Sequence, residues 1–99
     1  DGIIAAVEPI RMALAVRLLE QLAAHPEVLR AISQINVADP YNAVVLLNND
    51  PAFLYLGADR FLERLRFYVE LAPSLRTRVA DIDYVDLRFD QRVYVRPTT

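Results

Sequence analysis

Cysteine is absent from the 99-residue sequence, and glycine and histidine are scarce. The missing cysteine removes disulfides, thiol nucleophiles and thiolate metal sites together, and it fits either an oxidising or a reducing compartment. Because the two glycines, Gly2 and Gly57, stand far apart, the sequence contains no glycine-rich phosphate-binding loop. His25 is the single histidine and has no nearby cysteine or second histidine to form a zinc site, so we expect a solvated or helix-terminal residue.

A strong charge of one sign and a long apolar run are also missing. The net charge is −2 and the isoelectric point is near 5.3, so no global positive field invites nucleic acid or an anionic membrane. Every residue of the Lys/Arg class is arginine, and most follow Asp59, so the sequence still permits a local basic patch on the surface. The apolar run Ile3–Val7 is far shorter than the roughly 20 residues of a membrane span, and no signal peptide is visible.

The apolar content is that of one folded domain. Apolar residues make up 55% of the chain, which excludes a disordered or fibrous protein. The sequence opens on Asp1-Gly2, a pair typical of a hairpin turn and here cut in half. We therefore expect residues 1–99 to form one domain of a longer protein, with its targeting or anchoring segments outside this sequence.

Apolar spacing of three and four residues predicts a first helix from Pro9 to His25. Pro9 suits the first turn of a helix, where its missing N–H is not needed. Pro26 disfavours helical geometry at His25 and should end the helix there. The segment Glu27–Ala31 is expected to add one further helical turn.

A second helix is predicted after Asp59, whose side chain can cap or acidify the helix start. Apolar residues recur at helical spacing from Phe61 to Ala72. Pro73 interrupts this pattern, so we assign Leu75 and Val79 to a separate short helical turn.

Three strands separate the two helices. Alternation and apolar content predict them, and the polar turns Asp39–Asn42 and Asn48–Pro51 divide them. The predicted strands are Ile32–Asp39, Ala43–Leu47 and Ala52–Gly57. With the closing segment Asp83–Pro97 as a hairpin, we expect an α+β fold. Two helices would cover one face of a mainly antiparallel sheet, in the order helix, three-strand meander, helix, C-terminal hairpin.

The apolar face of the closing hairpin predicts its register. A tip of Asp90, Gln91 and Arg92 pairs Phe89 with Val93 and keeps the apolar residues on one side. Such loops usually hold their last residue in a left-handed conformation, so we expect modest strain at Arg92.

Side chains suited to catalysis or metal binding do not converge in the pattern. Strand alternation places Asp81 and Asp83 on one face and Asp86 on the other, and no calcium-loop motif surrounds them. Ser33 and Ser74 lie in no nucleophile motif. We therefore expect no enzyme, metal site or cofactor. A small hydrolase is the enzyme alternative, and it would need a cleft with convergent titrating groups.

The even positions of the closing hairpin permit two interpretations. One is a solvated sheet face with Asp–Arg pairs worth about 0.5 kcal/mol each. The other is an edge strand, Val93–Arg96, that offers unpaired backbone groups to a partner strand. A proline at Tyr94 would then remove a backbone donor. The even-position residues are Tyr84, Asp86, Arg88, Tyr94 and Arg96.

Two motifs of this sequence resemble the bacterial cell-division family FtsQ, called DivIB in Gram-positive bacteria. They are "LYLGADRFLERLRFYVELAPSL" (Leu54–Leu75) and "IDYVDLRFDQRVYVRP" (Ile82–Pro97), and the resemblance extends from about Ala43 to Pro97. It identifies residues 1–99 as similar to the extracytoplasmic β domain of that family. The membrane span and the POTRA domain of such proteins would lie outside this sequence.

The resemblance implies a periplasmic, non-enzymatic divisome scaffold without a cofactor, carried by a single-span inner-membrane protein. Its implied partners are FtsB- and FtsL-like division proteins, added to the last strand by β-augmentation in support of septum assembly. It implies a membrane link only through a segment outside this chain, and self-association through the same edge stays open. From the charge balance we expect no nucleic-acid partner. The implied partner-binding residues are Arg88, Phe89, Asp90, Gln91, Arg92, Val93, Tyr94, Val95 and Arg96.

An alternative from a different class is a POTRA-like peptide-binding module of outer-membrane assembly or secretion. Such a module would also use an edge strand. Neighbouring division genes would favour the first interpretation, and a following β-barrel domain would favour the second.

Overall fold

A layer of helices covers one face of a five-stranded sheet in this computed structural model, which describes residues 2–98, with side chains from residue 8 onward. The α+β class predicted from the sequence is confirmed. The helices are α1 (Gly2–Ala23), α2 (Pro26–Ala31) and α3 (Phe61–Arg78). The strands are β1 (Ile32–Asp39), β2 (Asn42–Leu47), β3 (Phe53–Gly57), β4 (Ile82–Asp86) and β5 (Tyr94–Pro97).

The strands lie in the sheet in their order along the chain, β1-β2-β3-β4-β5. Adjacent strands pair antiparallel except β3 and β4, which are parallel because α3 crosses between them. The predicted meander, the closing hairpin and the mainly antiparallel sheet are therefore confirmed. Within residues 2–98, no helix has both the length and the apolar character needed to cross a membrane.

One row of side chains runs across all five strands on the helix-covered face. The cross-strand register aligns Ile35, Val45, Leu54, Val85 and Val95. The three central members are fully buried, whereas at the two sheet edges Val95 is partly buried and Ile35 is exposed. The core is therefore centred under β2, β3 and β4.

The helices bury one stripe each against this row. Helix α1 buries Leu14, Leu18 and Leu22, which are spaced by four residues and share one side of the helix. The buried residues of α3 are Phe61, Leu65, Tyr68 and Ala72. Burial of each such leucine or phenylalanine stabilises the fold by about 1.5–3 kcal/mol.

The predicted start of α1 and the predicted end of α3 are wrong, whereas α1 ends before Pro26 and α3 begins after Asp59 as predicted. Helix α1 begins at Gly2, so Pro9 lies inside it and Gly2 belongs to a helix; Asp1 of the predicted turn lies outside the described residues. Helix α3 continues through Pro73 to Arg78. Proline removes a single backbone donor, and the packing of Leu75 and Val79 against the core outweighs that loss.

The start of α3 is also stabilised differently from the prediction. Arg60, at the position before the helix, adopts a left-handed conformation with φ 53°, and no side chain at the helix start caps it. The backbone N–H of Phe61 instead donates to the Gln21 side chain of α1 at 3.2 Å. This hydrogen bond ties the two long helices together.

A partly buried polar contact joins the β2–β3 turn to α3. The Tyr68 hydroxyl donates to Asp50 Oδ2 at 2.6 Å, and Arg76 Nη2 donates to the same oxygen at 2.9 Å. The other carboxylate oxygen of Asp50 accepts from the Ala52 N–H at 3.1 Å. The turn is thereby fixed to the helix layer.

Candidate functional site: the β5 edge and its approach

Strand β5 ends the sheet and pairs only with β4. Val95 is half-buried against the core, while Tyr94 and Arg96 on the opposite face are exposed. The sequence-based prediction that the last strand is a sheet edge is confirmed.

The hydrogen bonding of β3 to β4 determines which groups of β5 point outward. The Leu87 N–H donates to the Tyr55 carbonyl at 3.0 Å, and Tyr55 faces Asp86 in the parallel register. In a parallel pair this pattern directs the backbone groups of Asp86 away from β3 and toward β5. Asp86 faces Tyr94, so Tyr94 is bonded to β4, and the N–H and C=O of Val95 point to the open side.

The hairpin register predicted from the sequence is wrong by two residues. Val85 rather than Leu87 lies opposite Val95, and the connection Leu87–Val93 replaces the short tip. The predicted register would need the Arg88 N–H as a donor to β5, but that N–H donates to Asp86 Oδ1 at 3.1 Å. The left-handed residue is Gln91, with φ 61°, and not Arg92.

An ion pair holds the start of this connection. The Oδ1 atom of Asp86 accepts from the Arg88 N–H at 3.1 Å and from Nε at 2.8 Å, and Oδ2 accepts from Nη2 at 2.6 Å. The Asp86 side chain is only 8% exposed, so the Asp–Arg pair of the first interpretation is present but its carboxylate is not solvated. Burial raises the pKa of Asp86, but the hydrogen bonds from Arg88 outweigh it and bring the pKa below the usual 3.8.

Aromatic rings and Arg88 form one continuous stack on the face opposite the helices. The Tyr55 and Tyr84 rings are parallel, with centroids 4.5 Å apart. The Arg88 guanidinium carbon lies 5.5 Å from the Tyr55 centroid and 5.9 Å from that of Phe89. Phe89 meets Tyr94 edge to face at 5.3 Å. These successive contacts connect side chains of the central strand β3 to Tyr94 on the edge strand β5.

A cleft of about 340 Å³ lies between α3 and the β4–β5 connection. Arg60 Nη1 donates to Asp90 at 2.9 Å across it, and Arg64 Nη2 donates to the Arg88 carbonyl at 3.2 Å. The exposed rings of Phe67 and Phe89 give the cleft an apolar wall. Its lining residues are Arg60, Glu63, Arg64, Phe67, Leu87, Phe89, Asp90 and Gln91.

The predicted site residues therefore divide into two groups. Arg88–Val93 belong to the connection, and Tyr94–Arg96 belong to β5. Arg88, Phe89 and Tyr94 meet in the stack, whereas Arg92 and Arg96 make no side-chain hydrogen bond or ion pair within the described part of the chain. The sequence analysis missed Tyr55, Arg64 and Phe67 as neighbours of the site. Of these three, Tyr55 alone could have been predicted, because strand alternation places its side chain on the outward face.

The structure also places the remaining candidates of the sequence analysis, His25 and the metal-ligating residue types. His25 lies between α1 and α2, where Nδ1 is 3.2 Å from Arg66 Nη2 and 3.7 Å from Glu27. This agrees with the predicted position at a helix end. Between residues 2 and 98, no three His, Cys, Asp or Glu side chains group closely enough to hold a metal ion.

Two comparisons with known proteins bear on these residues. The family model described as "Cell division protein FtsQ/DivIB, C-terminal" matches residues 3–88. A curated relative, cell division protein FtsQ of Koribacter versatilis (strain Ellin345), is 33% identical over 70 residues, which cover 69% of this chain and 20% of that protein. The chain thus spans about a fifth of the length of this relative. The family match includes β1–β4 and ends at Arg88, before β5.

Proposed function

This chain belongs to the C-terminal domain family of the cell division proteins FtsQ and DivIB, and from that membership we propose that it is a non-enzymatic scaffold domain of the bacterial division machinery. In this proposal the domain lies outside the cytoplasm, in a protein held in the inner membrane by a single span. It binds FtsB- and FtsL-type partners by strand addition at β5 and so supports septum assembly. The family match favours this function over a POTRA-like module of outer-membrane assembly.

The observation that carries the proposal is the outward direction of the Val95 backbone groups at the sheet edge. An unpaired N–H and C=O on an ordered edge strand provide a template for another strand. Hydrogen bonds from the main chain would supply affinity, and the exposed side chains of Tyr94 and Arg96 would supply selectivity. The residues beyond Arg88 rest on this geometry, because the family match ends there.

The connection before β5 supports the proposal by being held in place before a partner arrives. Arg88, Phe89 and Asp90 are each contacted by a different neighbour: Asp86, Tyr94 and Arg60. A partner strand that continues past β5 would meet the apolar cleft beside Phe67. Ordering of the surface before binding lowers the entropy that binding loses.

The test compares two proline substitutions at adjacent positions of β5. Val95→Pro removes an outward donor and leaves the ladder to β4, whereas Tyr94→Pro removes the donor to Asp86 and disrupts the hairpin. Proline at Val95 is therefore a more informative test than the proline at Tyr94 that the sequence analysis suggested. We expect Val95→Pro to weaken binding of the cognate FtsB extracytoplasmic segment about tenfold or more, measured by isothermal titration calorimetry.

Val95→Thr is the matched control, because it keeps the N–H and the β-branched shape. It should bind within a few-fold of the wild type. A cooperative thermal transition must show that Val95→Pro is folded. If that folded variant binds the segment with unchanged affinity, β5 is not the edge that accepts the partner.

A further inference from the structure

The sheet has a second edge, β1, and its backbone direction follows from the same ladder. Because Tyr55 directs its backbone groups to β4, those of Leu54 point to β2, where Leu54 faces Val45. The residues on either side of Val45 then bond to β1, and Val45 itself faces Ile35 without a ladder bond. The N–H and C=O of Ile35 therefore point outward from β1, as those of Val95 do from β5.

Further along β1, both backbone groups of Ala38 are bonded to side chains of the same molecule. Arg11 Nε reaches from α1 and donates to the Ala38 carbonyl at 3.1 Å, while Nη1 pairs with Glu8 at 2.7 Å. The Ala38 N–H donates to Asn36 Oδ1 at 2.7 Å. Both backbone groups of Ala38 are therefore used before another strand can reach them.

The path of β1 also differs from that of a flat edge. The pairing with β2 shifts register between Ile32 and Gln34 and again between Asn36 and Asp39, which leaves a short regular stretch around Ile35. Bulges of this kind and covering side chains are the means by which sheet edges avoid pairing with other chains. Among the described side chains, none hydrogen-bonds to the backbone of β5.

We propose that Arg11 and Asn36 close the β1 edge against a second copy of this chain, so that the sheet accepts a strand at β5 only. The two edges are alike in that Ile35 and Val95 lie on the same face in the same cross-strand row. Without the closure, β1 of one copy pairs with β5 of the next. That contact is head to tail and does not close on itself, so it produces open chains of domains.

The test opens the edge with the double substitution Arg11→Ala and Asn36→Ala. Both side chains are at the surface, and neither is part of the core. We expect the variant to show a mass that rises with protein concentration in sedimentation-velocity and light-scattering measurements, while the wild type stays monomeric. Arg17→Ala, an exposed arginine on the same helix, is the matched control and should stay monomeric. Adding Val95→Pro to the double variant should abolish the association.

The inference shares with the proposed function the premise that β5 accepts a strand, so a second probe tests β1 alone. It is a synthetic peptide of residues 92–98, titrated into the ¹⁵N-labelled double variant and wild type. Chemical-shift changes of the Ile35 amide that occur only in the double variant support the closure of β1. If the double variant nevertheless stays monomeric, the premise that β5 accepts a strand is wrong, and the closure still stands. A folded double variant that neither associates nor responds to the peptide overturns the closure. Equal association of wild type and variant overturns it too.

Discussion

Replacing Asp86 by asparagine tests how much the approach to β5 depends on one carboxylate. The substitution keeps the size of the side chain and removes its charge. An amide oxygen can still accept from the Arg88 N–H and Nε, which both bond to Oδ1. The amide NH₂ would then face Arg88 Nη2, which now donates to Oδ2 at 2.6 Å. Two donors would oppose each other at that position.

The magnitude follows from the number and exposure of these contacts. A hydrogen bond to a charged group contributes about 1.5–3 kcal/mol when it is buried. The Arg88 side chain is 38% exposed, so solvent screens the pair and we expect a loss of about 1–2 kcal/mol. In a domain of this size that corresponds to a melting temperature lower by roughly 5–15 °C.

Urea unfolding as a function of pH provides the assay. The pKa of Asp86 is lower in the folded protein than its usual 3.8, so its contribution is present above that pH and is lost as pH falls through the lower value. The difference in free energy between wild type and Asp86→Asn should therefore narrow below pH 3.8. Asp83→Asn is the control, since Asp83 is exposed on the same strand. A difference that is zero at pH 7 would refute the reasoning.

Three further substitutions probe the surroundings of the site. Tyr68→Phe removes the donor to Asp50 and should cost about 1–2 kcal/mol in urea unfolding at neutral pH. Burial, followed by the bond to Asp50, raises the pKa of Tyr68 to about 12, so the wild type should lose that stability between pH 10 and 12 while the variant does not. Gly57→Ala places a Cβ 2.8 Å from Arg64 Nη1 at φ +73° and should lower stability by about 1–2 kcal/mol in thermal unfolding. Gln91→Gly relieves a positive φ of 61° and should raise thermal stability by up to about 1 kcal/mol.

Each of these expectations has a contrary result. Equal loss of stability by wild type and Tyr68→Phe above pH 10 would assign the alkaline transition to another group. A melting temperature unchanged by Gly57→Ala would show that Arg64 moves aside at no cost. Arg92→Gly is the control for Gln91→Gly, because Arg92 has no positive φ. A gain at Arg92 and none at Gln91 would restore the short hairpin tip predicted from the sequence.

Strand content and the sheet edge could be predicted because both depend on local patterns. Alternation in Ile32–Asp39 and the polar turns around it predict β1 and the meander without any tertiary information. Strand β5 lies at the edge because it forms a hairpin with β4, whose other side pairs with β3. The helix ends were not predictable in this way, because the continuation through Pro73 depends on the contact of Leu75 with the core.

The hairpin register illustrates a different limit. A shift of two residues leaves every side chain on its original face, so the pairing of Val95 with Leu87 and its pairing with Val85 satisfy the same alternation. The pairing of Val95 with Leu87 would require the Arg88 N–H to donate to β5, and the side chain of Asp86 accepts that N–H instead; the Leu87 N–H donates to the Tyr55 carbonyl of β3. The Leu87 contact joins two segments that are distant in the sequence, whereas the contact between Asp86 and Arg88 is local and the alternation does not predict it.

The exclusive use of arginine acquires a physical explanation at the β4–β5 connection. Arg64 donates through Nη1 to the Leu56 carbonyl and through Nη2 to the Arg88 carbonyl, so one side chain joins β3 to the connection. Arg88 likewise uses two of its nitrogens on Asp86 while its plane lies near the ring of Tyr55. A lysine presents one nitrogen and cannot span such pairs of acceptors or stack in this way. Arginine side chains therefore hold the connection in place. Among the described side chains, none hydrogen-bonds to the backbone of β5. The outward N–H and C=O groups of Val95 are thus left to bond a partner strand.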